Sequence, residues 1–457
     1  MRSMLIAAGV ASFAAAAALA QPQQVVTPPK AVYWVSADTV SGLSAMGAMT
    51  KAQMMSGNIP THARTLKLEL GSTLAATSGA PNAAHDIPPA LQMGRSLDLR
   101  TPQRGPAATP QRDPSAPPDP MEIKGRLLLF WGCGEHVGAG QPLIVNFAGL
   151  QRGQMPTGLA GASLNLPPER GPSLDTSRTF GEWPHGDSRP RMGGAQNAVP
   201  INGSLVGPHF IHGNYSPDVR FSLGADRDFL APVELTQTKA ASGSVAMNWR
   251  AIANATGYFA MVIGGQQSQG SGGDMVMWSS SARKLFGGAT GQYIAPADAA
   301  RLVGERVLLA PSATSCTVPV EVSQAAPQGF LMFSAYGPEA NFVHPPRPAD
   351  ARTPWTQEWV AKVRFKSGMM GALGQNGAGI GAMAGMGGMS PEQAAEMQRQ
   401  QCEMRRQQQG AMAGAVGSGI GAATGIPGAG MVGGALGKAF GKSRQKDQPP
   451  DPNCPPP

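Results

Sequence analysis

Residues 244–265, SVAMNWRAIANATGYFAMVIGG, constrain the fold more than any other stretch of this chain. Val245, Met247 and Trp249 alternate with small or polar residues, the period-of-two pattern of a half-buried strand. After a short turn-prone segment, residues 257–264 are apolar on both faces, as a strand covered on two sides must be. Two neighbouring strands inside a layered β structure satisfy both patterns, and a helical reading satisfies neither.

The same period recurs elsewhere. In residues 65–71, Leu66, Leu68 and Leu70 fall on one face and Lys67 and Glu69 on the other. Residues 31–38 are aromatic and β-branched, 96–100 repeat the alternation with Leu97 and Leu99, and 125–132 and 142–147 are apolar runs of strand length. These make a first β domain over residues 31–150, with Pro-rich 102–120 as loop or linker. Residues 151–228 are rich in Gly, Pro, Arg and Ser and read as a loop region. Some of it is expected to wrap the sheets, and 218–223 is a candidate edge strand.

A second β domain is expected over residues 229–367, with strands at 233–238, 244–249, 257–264, 274–280, 317–322, 329–336 and 359–365. One helix is expected at 296–303, with Asp298 in its first turn and Gly304 at its end. Trp249 closing one strand, Ala255-Thr256-Gly257 in the turn, Tyr258 opening the next, and GFLMFSAYG at 329–337 resemble a fibronectin type III module. The resemblance covers about 130 residues and implies a β-sandwich. It implies a spacer or binding platform and brings no catalytic residues, and the span between Asp274 and Thr317 is longer than the pattern of that family. The predicted fold is therefore mainly β, with two sandwich-like domains, long loops and a separate tail.

The ends of the chain differ from its middle. Arg2, the Ala-rich apolar run 4–19 and Ala18-Leu19-Ala20 ahead of Gln21 read as a secretory signal peptide over residues 1–20, which places the protein in the periplasm, outer membrane or cell surface. Beyond Ser367 the chain is Gly-, Ala- and Met-rich, with a capping box at Ser390-Pro391-Glu392-Gln393 that would start a polar helix. Gly417, Gly421 and Gly425 fall four apart, as do Gly433, Gly437 and Gly441, with Gly430 and Gly434 in a second frame. This tail, residues 368–457, resembles the glycine-zipper segments of bacterial envelope proteins. A stripe of that kind lets two helix backbones approach closely. Yet Gly at this density costs a helix in water up to about 1 kcal/mol per residue, so the stripe needs a membrane, an envelope component or a second copy of the chain, or else stays disordered.

Composition excludes some partners. The formal charge is +8, but only 14% of residues are charged and the arginines are scattered, so a nucleic-acid surface is not expected. No phosphate-cradling glycine loop joins a strand to a helix, which removes nucleotide binding. No cofactor is expected. Export permits disulfides. Cys133, Cys316, Cys402 and Cys454 allow three pairings, of which Cys133–Cys316 with Cys402–Cys454 is the first choice, and unpaired thiols or a tail cysteine linking two copies stay open.

The densest group of reactive side chains is Cys133, Glu135 and His136 in the run WGCGEH, a thiol with a carboxylate and an imidazole nearby. The plainer reading is a tight turn after a core strand with its cysteine oxidised. His209 and His212 would share a face as metal ligands only on a helix, and Pro208, Asn214 and Pro217 argue for a loop. Met46, Met49, Met54 and Met55 offer thioethers that suit Cu(I), or simply fill gaps. Trp183 and Trp355 read as local packing anchors rather than sugar platforms. The leading expectation is a non-enzymatic envelope protein built as a binding or structural platform. A periplasmic hydrolase or thiol enzyme using Cys133 and His136, and a copper-handling protein, are its rivals.

Overall fold

The computed structural model describes residues 24–47, 61–102, 124–146, 179–184, 197–266, 272–286 and 291–376, with 162, 164, 166 and 171–173 besides. The signal-peptide segment, Met49, Met54, Met55, Cys402, Cys454 and the glycine stripe lie outside these residues.

The chain opens with β1 (Val26–Thr27), β2 (Ala31–Gly42), the short helix α1 (Leu43–Gly47) and β3 (His62–Ser72). β4 (Ala83–Asp86), β5 (Ser96–Leu99), β6 (Lys124–Trp131) and β7 (Leu143–Asn146) follow. β8 (Thr179–Trp183), β9 (Ala198–Val199), β10 (Gly207–Gly213) and β11 (Val219–Leu223) fall within the region read as loop. Then come β12 (Leu235–Lys239), β13 (Val245–Trp249), β14 (Gly257–Gln266), β15 (Gly272–Ser279) and helix α2 (Pro296–Gly304). β16 (Ser315–Val318), helix α3 (Val320–Ala325), β17 (Phe330–His344), β18 (Trp355–Thr356) and β19 (Trp359–Ala372) complete the described chain. The protein is mainly β.

One ten-stranded sheet organises it, in the order β7-β6-β15-β14-β17-β19-β2-β3-β8, with β9 also pairing β3. Its two unexpected joints are parallel. β19 runs beside β2 from Trp359 opposite Ala31 to Met370 opposite Gly42, and β15 runs beside β6 from Gly272 opposite Lys124. Strands from residues 31–150 and from 229–367 thus share one sheet, where the sequence suggests two separate sandwich-like domains. The physical reason is visible in β2. Ala31, Tyr33, Val35 and Ala37 are buried on one face and Trp34 and Ser36 on the other. A strand covered on both faces needs a neighbour along each edge.

On one face of this sheet, Tyr33 and Val35 of β2, Leu66, Leu68 and Leu70 of β3, Val363 and Phe365 of β19 and Tyr258 and Ala260 of β14 belong to a single buried cluster. Two smaller sheets cover it. The β12-β13-β16 sheet contributes Val245, Met247, Trp249 and Val318, and the Trp249 ring lies 4.8 Å from that of Phe333 in β17. The β11-β10-β4-β5 sheet contributes Ile211, Val219, Leu97 and Leu99, and Phe221 stacks on Phe342 at 4.7 Å. On the opposite face, Phe259, Met261 and Tyr336 pack under Leu285, Ile294, Ala299 and Leu302, so the segment carrying α2 closes that half.

Two local expectations need correction. The strand expected at 317–322 stops at Val318, because Pro319 cannot extend a ladder and instead caps helix α3. His209 and His212 lie on a strand and not in a loop. Pro208 is tolerated because β10 pairs with β4 only from Phe210 onward, so no backbone donor is asked of Pro208 on that side.

Candidate functional site

The residues singled out by sequence do not assemble into a reactive centre. Cys133 is bonded to Cys316, which removes the thiol and joins the segment after β6 to β16. The backbone reinforces the junction: Gly134 N donates to Thr317 O at 2.9 Å and Val320 N to Glu135 O at 3.0 Å. His136 lies 3.0 Å from Glu321 through its Nδ1, with its side chain 68% exposed. This is a stapled surface turn.

The strand places His209 and His212 on opposite faces. His212 is at the surface, with Nε2 3.4 Å from Asp86. His209 is buried in a chain of hydrogen bonds whose direction the chemistry dictates. Its Nε2 reaches the Leu205 carbonyl at 2.7 Å, and a carbonyl only accepts, so Nε2 carries the proton and Nδ1 is an acceptor. His85 Nε2 therefore donates to His209 Nδ1 at 2.9 Å, and the Tyr33 hydroxyl donates to His85 Nδ1 at 2.9 Å. Burial drives His85 well below the usual imidazole range and His209 down to about 4. Burial, assisted by Tyr215, raises Tyr33. All three are neutral at pH 7, so they clasp β2 to the β4–β10 layer without charge. No group of three His, Cys, Asp or Glu side chains among the described residues is arranged to hold a metal ion.

The candidate site lies on the other side of β2. Along β19, Ala361, Val363 and Phe365 turn to the core, so Lys362, Arg364 and Lys366 turn to the opposite face. The parallel register sets them beside Trp34, Ser36 and Asp38 of β2, and β3 adds Lys67 and Thr65 next in line. Arg364 Nε donates to Ser36 Oγ at 2.8 Å, and its guanidinium stands 4.4 Å from the Trp34 ring and 4.2 Å from the Tyr293 ring. Lys362 lies 3.6 Å from Glu339, Lys366 lies 4.8 Å from the Tyr293 ring, and Lys67 pairs with Glu69 at 2.6 Å. Trp34 is covered closely: a Cβ on Gly171 would come within 2.6 Å of its ring, so only glycine fits there.

Above this row is a cavity of about 790 Å³. Its floor includes Ser36, Asp38, Lys67, Lys362 and Arg364, and the loop before α2 supplies Gln292, Tyr293 and Ile294 as its wall. Asp38 Oδ1 and the Tyr293 hydroxyl are shielded from water, and the two side chains interact with each other as hydrogen-bond partners. They are near enough to act on each other's ionisation. Burial raises Asp38 against the pull of Lys366, Tyr293 and Arg364, and burial together with Asp38 raises Tyr293. Both residues line this cavity.

Sequence reasoning missed this site. The signal was present in the KVRFK run at 362–366, three cations at period two on a strand that otherwise faces a core. Alone it reads as a solvated strand face. Only the pairing with β2, and the arrival of Tyr293 from the α2 segment, turns it into a cavity. No known protein family and no curated protein matches the chain.

Proposed function

We propose that the chain is a non-enzymatic envelope protein, exported by the segment at 1–20, whose β scaffold binds a polar ligand in the cavity over β2, β3 and β19. The observation that carries the reading is the cavity itself: a charged row fixed on central strands, under a wall whose Tyr293 interacts with the buried Asp38 of the floor. Sites built on strands are held more rigidly than sites on loops. The charged groups here are tied in mutual pairs that position them, and the Cys133 thiol on which the rival enzyme reading depends is spent in a disulfide.

The same proposal takes residues 229–367 as a fibronectin type III-like sandwich. The strand order supports it. β12, β13 and β16 stand against β15, β14, β17 and β19, seven strands divided three against four with antiparallel neighbours within each group. On this reading β2, β3, β6 and β7 extend the larger sheet at both edges. The glycine-striped tail then serves as the attachment, to a membrane, to an envelope component or to another copy of the chain.

Thermal shift against a chemically mixed panel of small molecules tests the cavity. Ligands that stabilise the wild-type protein should lose that effect in Gln292→Trp, which fills the wall from an exposed loop position. Equal shifts in both proteins would place binding elsewhere and sink the reading.

A further inference from the structure

Resting on the cavity being the binding site, we propose that its ligand is a saccharide, recognised through ring hydroxyls. The lining alternates hydrogen-bond roles over a short span. Lys67, Lys362 and Arg364 only donate, Asp38 and Asp298 accept as carboxylates, and the Asn197 and Gln292 amides do both. A phosphate or other polyanion would meet the cations and be repelled by Asp38 and Asp298. A polyamine would meet the carboxylates and be repelled by the three cations. A hydroxyl donates and accepts at once and adds no charge, so vicinal hydroxyls on a ring match this wall where either ion would not.

Leu166 and Ile294 supply apolar wall for the ring's carbon faces. The volume falls within the range of small-ligand sites and holds roughly two or three sugar rings.

The test uses the purified full-length chain on a glycan array that spans neutral and uronate oligosaccharides, followed by titration calorimetry of the hits. Inorganic phosphate and spermidine are titrated as charged probes. The expected result is saccharide binding that weakens at least tenfold in Gln292→Ala and Asp38→Asn and is unchanged in His136→Ala. Gln292→Ala alters an exposed loop, so it keeps the test valid even if Asp38→Asn melts early. Saccharide silence with phosphate or spermidine binding that Gln292→Trp abolishes would overturn the sugar class and leave the cavity as a binding site. If no glycan and neither charged probe binds, and the mixed panel shows no Gln292→Trp-sensitive shift, both readings fall. Saccharide binding unaffected by either cavity variant would also overturn the proposal.

Discussion

At the scale of single residues, the Tyr33–His85–His209 clasp makes a prediction about acid. An unfolded chain protonates its histidines below about 6.5, whereas burial holds His209 near 4 and His85 well below the ordinary value. The clasp therefore contributes its full stability above pH 6.5. As pH falls from there, the unfolded state gains protons that the folded state refuses, and stability drains away until His209 itself titrates. His209 alone accounts for about 3 kcal/mol over that window. Urea melts at pH 7, 6, 5 and 4 should show the loss, and His209→Phe should flatten part of it. A midpoint that holds constant from pH 7 to 4 would refute the neutral-clasp account. Trp249 makes a second prediction. It is buried against Phe333 and Tyr258, and its indole nitrogen has no partner, so its contribution is packing alone. Trp249→Ala should cost about 3–5 kcal/mol and Trp249→Phe less than half of that, read from denaturation midpoints. The burial of Trp249 was legible from alternation. The clasp was not, because His85 and His209 stand 124 residues apart and no local pattern names their neighbours.

Among the elements, β3, β13 and β19 were readable from a period of two, and β2 and β14 from apolar or aromatic runs of strand length. Hydrophobic side chains repeating at that spacing leave a strand few alternatives. The short strands β4, β8, β9 and β10 were hidden by flanking Gly and Pro, and each holds its place through a neighbouring strand more than through its own composition. The disulfide acts at this scale too. It closes a loop of 183 residues between the turn after β6 and strand β16, and the chain-entropy argument puts its contribution at about 3–5 kcal/mol. Cys133→Ser with Cys316→Ser should lower the melting temperature and leave ligand binding at the cavity intact, since the staple lies outside the cavity lining. Loss of binding with unchanged stability would contradict both assignments.

For the molecule as a whole, the parallel joints between β19 and β2 and between β15 and β6 were the least legible feature, because side-chain periodicity tells a strand which face to bury and nothing about its partner. They also explain why the candidate site escaped a reading that kept residues 31–150 apart from 229–367. The floor of the cavity takes Asp38 from one region and Arg364 from the other. A boundary follows from how β19 ends. Buried Gln237 donates to the carbonyls of Ala372 and Gln375 and accepts from Gly374 N, while Asn376 pairs with the Gln237 backbone. Truncation after Asn376 should leave the thermal melt of residues 24–376 unchanged. Truncation after Ser367 removes the end of β19 and this clasp, and should lower the melt sharply or prevent folding. Equal melts for the two truncations would show that β19 does not hold the sheet together.

The partnership of β2 with β19 also sets a clock. The residues joined across it, such as Ser36 and Arg364, are 328 positions apart, so a ribosome adding about 5–20 residues per second leaves the first strand waiting on the order of tens of seconds for its mate. During that interval the early chain has an open edge and no way to finish its sheet. The large sheet cannot close at this joint until β19 has been made, so its completion belongs to the end of synthesis.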